Sequence, residues 1–352
     1  MLVSGYLLKE SSYYRIAKTI SDGELDHSIP LVLDYLAEGN ANVVYKIVLF
    51  GLAAKCAIPP EVEGTVLRLS KQKNFVTSTQ QRVLELRDTF SFIPKDYLVQ
   101  QTLVRVDRNI VEAINQNLNL NERSGHRPRS RYGDLVNLED NYGLLMTDMT
   151  ATGTGTVLEL KPKWLSQSPN APVNAVRCRT CALRAQRQAT KKGGQKTPEG
   201  NVYCPLALLS DDVDVRRFAA AAVLKTNRCD WISDGASQLA NLFVTSGLLG
   251  LLRNHQIRLD AEGILELQSN KTDLSDFCIA MTLRDCTLFI RSRNGRFDSS
   301  CEMQLADLDL KAAHPDKVDK WIDTERSLIN QGWYTNDETE RQAETICVLS
   351  RN

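Results

Sequence analysis

Short apolar runs separated by turn residues open the chain. Leu31 to Tyr35, the turn Glu38-Gly39-Asn40 and Val43 to Leu49 have the pattern of a β-hairpin with glycine at its tip. Gly64 to Leu69, carrying Arg68, reads as a third strand. Thr77 to Phe90 has helical apolar spacing behind polar capping residues, and another helix is expected from about Lys95 to Leu118. After the polar, arginine-rich loop 119–133 come strands at Gly143 to Thr147, closed by Asp148, and at Thr156 to Leu160. Val213 to Leu224 and Ala236 to Leu252 are helical in spacing. Phe277 to Ile290 reads as strand, turn, strand, and Met303 to Leu308 as one more strand. The last helix runs from about Lys317 to Ile329 and ends near Gly332; Leu7 to Ile20 is helix-like. Strands crowd the first half and helices the second, which predicts an α+β architecture in two lobes, 1–150 and 151–352.

Composition narrows the class. With 352 residues, 42% hydrophobic and 24% charged, most of the chain should fold. No apolar run is long enough to cross a bilayer, and the first residues lack the pattern of a secretory signal. A nuclear or cytoplasmic protein with no membrane partner is therefore expected. Nine scattered cysteines in such a chain are expected to be reduced thiols. The net charge of zero argues against stable nucleic-acid binding. Basic residues nevertheless cluster, at Arg123, Arg127, Arg129 and Arg131 and again from Arg177 to Lys196. A neutral protein with local basic patches suits a small, highly charged ligand, and a monomer is expected.

Within Leu158-Glu159-Leu160-Lys161-Pro162-Lys163-Trp164, strand alternation puts Glu159, Lys161 and Lys163 on one face, toward solvent, a cleft or an anion. A solvated edge strand that uses lysines to discourage pairing is the plainer reading. Asp307 and Asp309 share a strand face by the same alternation. At Gly39-Asn40-Ala41-Asn42-Val43, small and turn-prone residues let backbone N–H groups approach a phosphate, although an ordinary hairpin turn has the same sequence. Cys178 and Cys181 have metal-ligand spacing, which Cys204 and Cys229 could complete to a tetrahedral set.

Five segments, in order, resemble the motifs of the inositol-pentakisphosphate 2-kinases, with the character of a fungal member. They are Ala37 to Val44, Glu159 to Lys163, Cys178 to Cys181, Met281 to Cys286 and Asp307 to Lys311. The resemblance spans about residue 30 to 325 and implies a two-lobed inositol-phosphate kinase fold, distantly like the protein kinases, with ATP in a cleft between lobes. It implies transfer of a phosphoryl group from ATP to the 2-hydroxyl of inositol pentakisphosphate, giving the hexakisphosphate.

By that resemblance, Asp285 accepts or orients the hydroxyl proton and Lys161 stabilises developing charge. Gly39, Asn40, Ala41, Asn42, Val43, Arg68 and Asp148 meet the nucleotide, the last at the hinge. Mg2+ falls to Asp307 or Asp309, the first favoured. Lys163, Lys311, Arg131, Arg179 and Arg216 or Arg217 would bind the polyanionic substrate. Pro315 and Asp319 stand where relatives offer arginine and tyrosine, so Lys317 or Lys320 are candidates to replace them; Ser130 and Asp212 also depart from the pattern. Other members bind zinc through a His/Cys set in an insertion that this shorter chain lacks, so structural zinc is not expected and Cys178 and Cys181 read as a buried turn. The alternative activity class is a catalytically silent inositol-phosphate-binding or scaffold protein. A protein kinase is not expected, since the His-Arg-Asp and Asp-Phe-Gly signatures are absent.

Overall fold

Two compact units divide the chain, Met1–Phe92 with Val99–Asp148, and Ile93–Leu98 with Met149–Asn352. The computed structural model describes residues 2–4, 6–10, 13–17, 30–49, 62, 64–73, 78–150, 155–190, 202–230, 232–335 and 346–351.

In the first unit, eight strands form one sheet: β1 (Leu2–Ser4), β2 (Tyr6–Glu10), β3 (Tyr13–Ala17), β4 (Pro30–Glu38), β5 (Asn42–Leu49), β6 (Thr65–Ser70), β7 (Gln101–Val106) and β8 (Tyr142–Thr147). Their order is β1-β4-β5-β6-β8-β7-β3-β2. The β4–β5 hairpin is as expected, with a register shift between Tyr35 and Ala37. β6 and β8 pair closely at Gly143, where a Cβ would stand 2.8 Å from a Leu69 methyl carbon, so only glycine fits without a shift. Helix α1 (Thr79–Thr89) is capped by Ser78, whose hydroxyl accepts from Gln81 N. Helix α2 (Arg108–Arg123) is capped by Asp107 and buries Ile110, Ile114 and Leu118, one stripe at four-residue spacing, against Val43, Leu67, Leu69 and Val104.

Two expectations fail in the part of the chain before Asp148. The helix predicted from Lys95 to Leu118 is a 3-10 turn (Lys95–Tyr97), then β7, then α2. Its first part, Thr102-Leu103-Val104-Arg105-Val106, is rich in β-branched residues, and Asp107 starts the true helix. The helix-like stretch from Leu7 to Ile20 includes two strands, β2 and β3, which pair antiparallel; its last residues lie outside the described ones.

The second unit holds a three-stranded antiparallel sheet, β9 (Thr156–Leu160), β10 (Thr287–Ser292) and β11 (Glu302–Ala306), with β10 in the middle. Leu288 faces Leu160 on one side and Leu305 on the other. The end of β9, the start of β10 and the end of β11 therefore meet at one edge. The β10–β11 hairpin, residues 293–301, closes the opposite edge. The same unit holds α3 (Arg179–Thr190), α4 (Val213–Thr226), α5 (Gly235–Thr245), α6 (Leu248–Leu259), α7 (Ile264–Ser269), α8 (Ser275–Leu283) and α9 (Pro315–Asn330).

Here too the sequence misleads twice. Phe277 to Leu283 is helix α8, not a strand; a short run that is apolar save for Thr282 carries no period to distinguish the two. Ala236 to Leu252 is broken into α5 and α6 at Gly247, whose φ of 72° takes the chain out of the helix. Among the described residues, no single helix is long and apolar enough to cross a membrane. The fold is α+β.

Candidate active site

The edge where β9, β10 and β11 meet gathers charge. Leu158 and Leu160 point into the core and Glu159 outward, as alternation requires. The strand ends at Leu160, however, so Lys161 and Lys163 are not on a strand face. Lys163 adopts a left-handed backbone, φ 60°, after Pro162. Both lysines converge on Asp285, which sits in the turn from α8 into β10. Lys163 Nζ donates to Asp285 Oδ1 at 2.9 Å and Lys311 Nζ to Oδ2 at 2.7 Å. Lys161 Nζ donates to the Asp285 backbone carbonyl at 2.8 Å and stands 3.6 Å from Asp307 Oδ2. Thr287, the first residue of β10, donates its hydroxyl hydrogen to Asp307 Oδ2 at 2.7 Å. The backbone N–H of Lys311 is held by Thr282 Oγ1 at 3.0 Å, which ties that lysine to α8.

Asp285 and Asp307 keep 46% and 54% of their side chains exposed, so the cluster is open to a ligand. Partial burial by itself would raise the Asp285 carboxyl, but hydrogen bonds from Lys311 and Lys163, and the charges of both, outweigh it and hold the group well below the usual carboxylate range. Beside it, burial pushes the Cys286 thiol up to about 12. Asp307 follows β11 with φ 58°, so it and Asp309 do not share a strand face as expected. Asp307 is exposed while Leu308 between them is buried.

The other predicted substrate cations fall elsewhere. Arg179, 7% exposed, donates to Glu325 Oε2 at 2.9 Å and stacks 4.4 Å from the centre of the Trp164 ring. It positions the residue after Lys163 and lies outside the cluster. Arg284 stands 3.5 Å from the same ring and bonds Asp260 at 2.6 Å. Arg216, on α4, donates to the Ser210 carbonyl, and Arg217 pairs with Asp214 at 2.9 Å. Asp212 caps α4 by accepting from Asp214 N at 2.8 Å. Lys317 and Lys320 lie exposed on α9.

In the first unit, the Gly39 loop is closed by Gly39 N donating to Asn42 O at 2.9 Å. A Cβ on Gly39 would meet nothing within 4 Å, and its backbone is not left-handed. The fold therefore does not need glycine there. Asn40 accepts from Arg131 at 3.0 Å and Asn42 from Arg82 at 3.1 Å. Val43 is core, Arg68 is buried in β6, and Asp148 stands 3.9 Å from Lys46.

Beneath this loop is a network that the sequence did not reveal. Lys71, fully buried, donates to Gly39 O at 2.8 Å and pairs with Glu38 and Asp134. Arg127 grips Glu38 through both oxygens, at 2.6 and 2.9 Å, and Tyr35 donates to the same carboxylate at 2.8 Å. Burial opposes ionisation of Glu38, but hydrogen bonds from Arg127, Lys71 and Tyr35 overcome it and lower its pKa. No local signal could have shown this, because the partners come from three separate segments.

Three ammonium groups stand around one carboxylate, with a second carboxylate alongside, a concentration of cations able to meet phosphate oxygens. A family model described as inositol-pentakisphosphate 2-kinase matches residues 35–327. A Yarrowia lipolytica (strain CLIB 122 / E 150) protein named inositol-pentakisphosphate 2-kinase is 28% identical over 318 residues, which cover 86% of this chain and 93% of that protein. The chain belongs to the inositol-pentakisphosphate 2-kinase family, and is a kinase.

Proposed function

We propose that this chain phosphorylates the 2-hydroxyl of inositol 1,3,4,5,6-pentakisphosphate with ATP, and that the Asp285 cluster carries the transfer. One observation supports this above the others: Lys161, Lys163, Lys311, Asp285 and Asp307, drawn from three chain segments, meet at one open sheet edge. The first unit supplies the nucleotide contacts through the Gly39 loop, Arg68 and Asp148, with Arg131 reaching a substrate phosphate. The second supplies the chemistry, in the two-lobed arrangement that the family implies.

Asp285 accepts the hydroxyl proton, the freed oxygen attacks the γ-phosphorus, and the bond to the bridging oxygen of ADP breaks. In the free protein Asp285 is a weak base, because its oxygens are saturated by lysines. Phosphates of the substrate compete for Lys163 and Lys311, and as those cations turn outward the carboxylate regains basicity where the hydroxyl lies. Lys161 remains beside the transferring oxygens and offsets their charge.

Asp307 suits a hard cation, being an exposed carboxylate oxygen donor with room for water and phosphate oxygens beside it. Mg2+ bound there would neutralise phosphate charge; Asp309 is the second candidate ligand. The deciding experiment incubates the purified chain with ATP, Mg2+ and inositol pentakisphosphate. Hexakisphosphate should form, and Asp285→Asn should abolish most of it; no product from the native chain would favour the binding or scaffold reading.

A further inference from the structure

Four cysteine sulfurs converge in the second unit, and none of them belongs to the lysine cluster. Cys178, Cys181, Cys204 and Cys347 are all buried, and their Sγ atoms lie within 4.8 Å of one another. Cys178 and Cys181 stand at the start of α3, Cys204 precedes the 3-10 helix Pro205–Leu209, and Cys347 precedes the 3-10 turn Val348–Arg351. Three distant segments are thus drawn to one point.

We propose that these four thiolates bind one Zn2+ ion as a closed tetrahedral structural site. The spacing of the sulfurs carries the assignment. Cys204 Sγ is 3.7 Å from both Cys178 Sγ and Cys347 Sγ. A Zn–S bond of about 2.3 Å makes the edge of a regular tetrahedron about 3.8 Å. A disulfide would bring two sulfurs to about 2.05 Å and leave the others apart. An iron–sulfur cubane, whose cysteines bind separate irons, needs wider spacing. Cys178 N also donates to Cys347 Sγ at 3.1 Å, the N–H to sulfur bond that steadies a metal-bound thiolate.

The Cys-x-x-Cys pair places one sulfur before α3 and the other a turn later, where the helix N-terminus favours thiolate. Cys229, which sequence spacing offered as a ligand, is buried elsewhere and bonds the Asn227 carbonyl. Cys347 takes its place, so the expectation that zinc is absent is reversed by this proposal. The insertion that holds zinc in relatives is not needed, because the ligand set is built from Cys178, Cys181, Cys204 and Cys347.

Such an ion would pin the segment around Cys347 to the fold beside the candidate active site. Tyr203, next to Cys204, donates its hydroxyl hydrogen to the Lys161 carbonyl at 3.0 Å. Arg179, next to Cys178, supports Trp164. The site is independent of which phosphate substrate the chain uses.

Metal analysis of the purified full chain should find one zinc per chain, retained on dialysis at neutral pH and released when an organomercurial titrates the thiols. Protein grown with Co2+ should show intense thiolate-to-cobalt charge transfer and tetrahedral d–d bands. Cys204→Ser and Cys347→Ser should lose the metal, while Cys229→Ser and Cys278→Ser keep it. A metal-free native chain, a disulfide among the four in its intact mass, or equal loss from Cys229→Ser would overturn the proposal. Should the serine variants fail to fold, the cobalt spectrum of the native chain decides: absence of thiolate bands rejects the site.

Discussion

Lys311 Nζ lies 2.7 Å from Asp285 Oδ2, with the other carboxylate oxygen taken by Lys163 at 2.9 Å, so in the free protein the proposed base is neutralised by the same cations proposed to hold the substrate. On the proposed assignment, substrate binding and basicity are coupled through one carboxylate.

Replacing Asp285 by Asn separates those roles. The amide cannot accept the proton, so kcat should fall by roughly 10²–10⁴, the usual worth of a general base. The lysines, relieved of a counter-charge, should hold the pentakisphosphate at least as tightly. Steady-state kinetics with isothermal binding tests both; a raised Kd with unchanged kcat would contradict the assignment.

The same group gives a pH signature. Its folded pKa is depressed, so its stabilisation is complete above the ordinary carboxylate value of about 4 and is lost as pH falls below that. Urea unfolding of the native chain should weaken over that acidic range more steeply than that of Asp285→Asn. Parallel curves would mean the lysine cluster does not form in solution.

Asp307→Asn tests the metal assignment without confounding strain, since asparagine tolerates the left-handed backbone at this position. The Mg2+ concentration for half-maximal rate should rise at least about tenfold, in line with loss of one of the one or two carboxylates that such a site uses. An unchanged Mg2+ titration would move the role to Asp309.

Gly39→Ala should leave unfolding free energy within about 0.5 kcal/mol, as for a surface change that breaks nothing. If the loop backbone approaches phosphate, the same methyl group should raise KM for ATP. Unaltered nucleotide binding would reduce Gly39 to an ordinary turn residue.

Glu38→Gln leaves fully buried Lys71 and nearly buried Arg127 short of a charged partner. Removing one member of a buried ion network costs about 3–5 kcal/mol, readable in denaturant unfolding. A loss under 1 kcal/mol would imply that water enters the network.

Much of this was legible in the residues. The hairpin around Gly39 announced itself through two apolar runs and a turn, and Leu158, Glu159 and Leu160 alternate as a half-buried strand must. Asp285 was nominated through the family's motif, but on a strand turn, since Phe277 to Leu283 offers one polar residue, Thr282, too few to set a period. Lys163 and Asp307 looked like strand residues because left-handed backbone at a non-glycine residue leaves no mark in composition. Arg179 resembled a substrate ligand, and only the placement of Glu325 and Trp164 shows it is engaged. Cys347 could not be paired with Cys204, 143 residues earlier, by any local rule.

The sheet that gathers the lysines and carboxylates at one margin leaves residues 298–300 of its β10–β11 hairpin exposed at the other. A fluorophore attached through a cysteine introduced at Ser299 would therefore report on this enzyme during turnover without touching the reacting groups, and a short epitope inserted there should be carried silently.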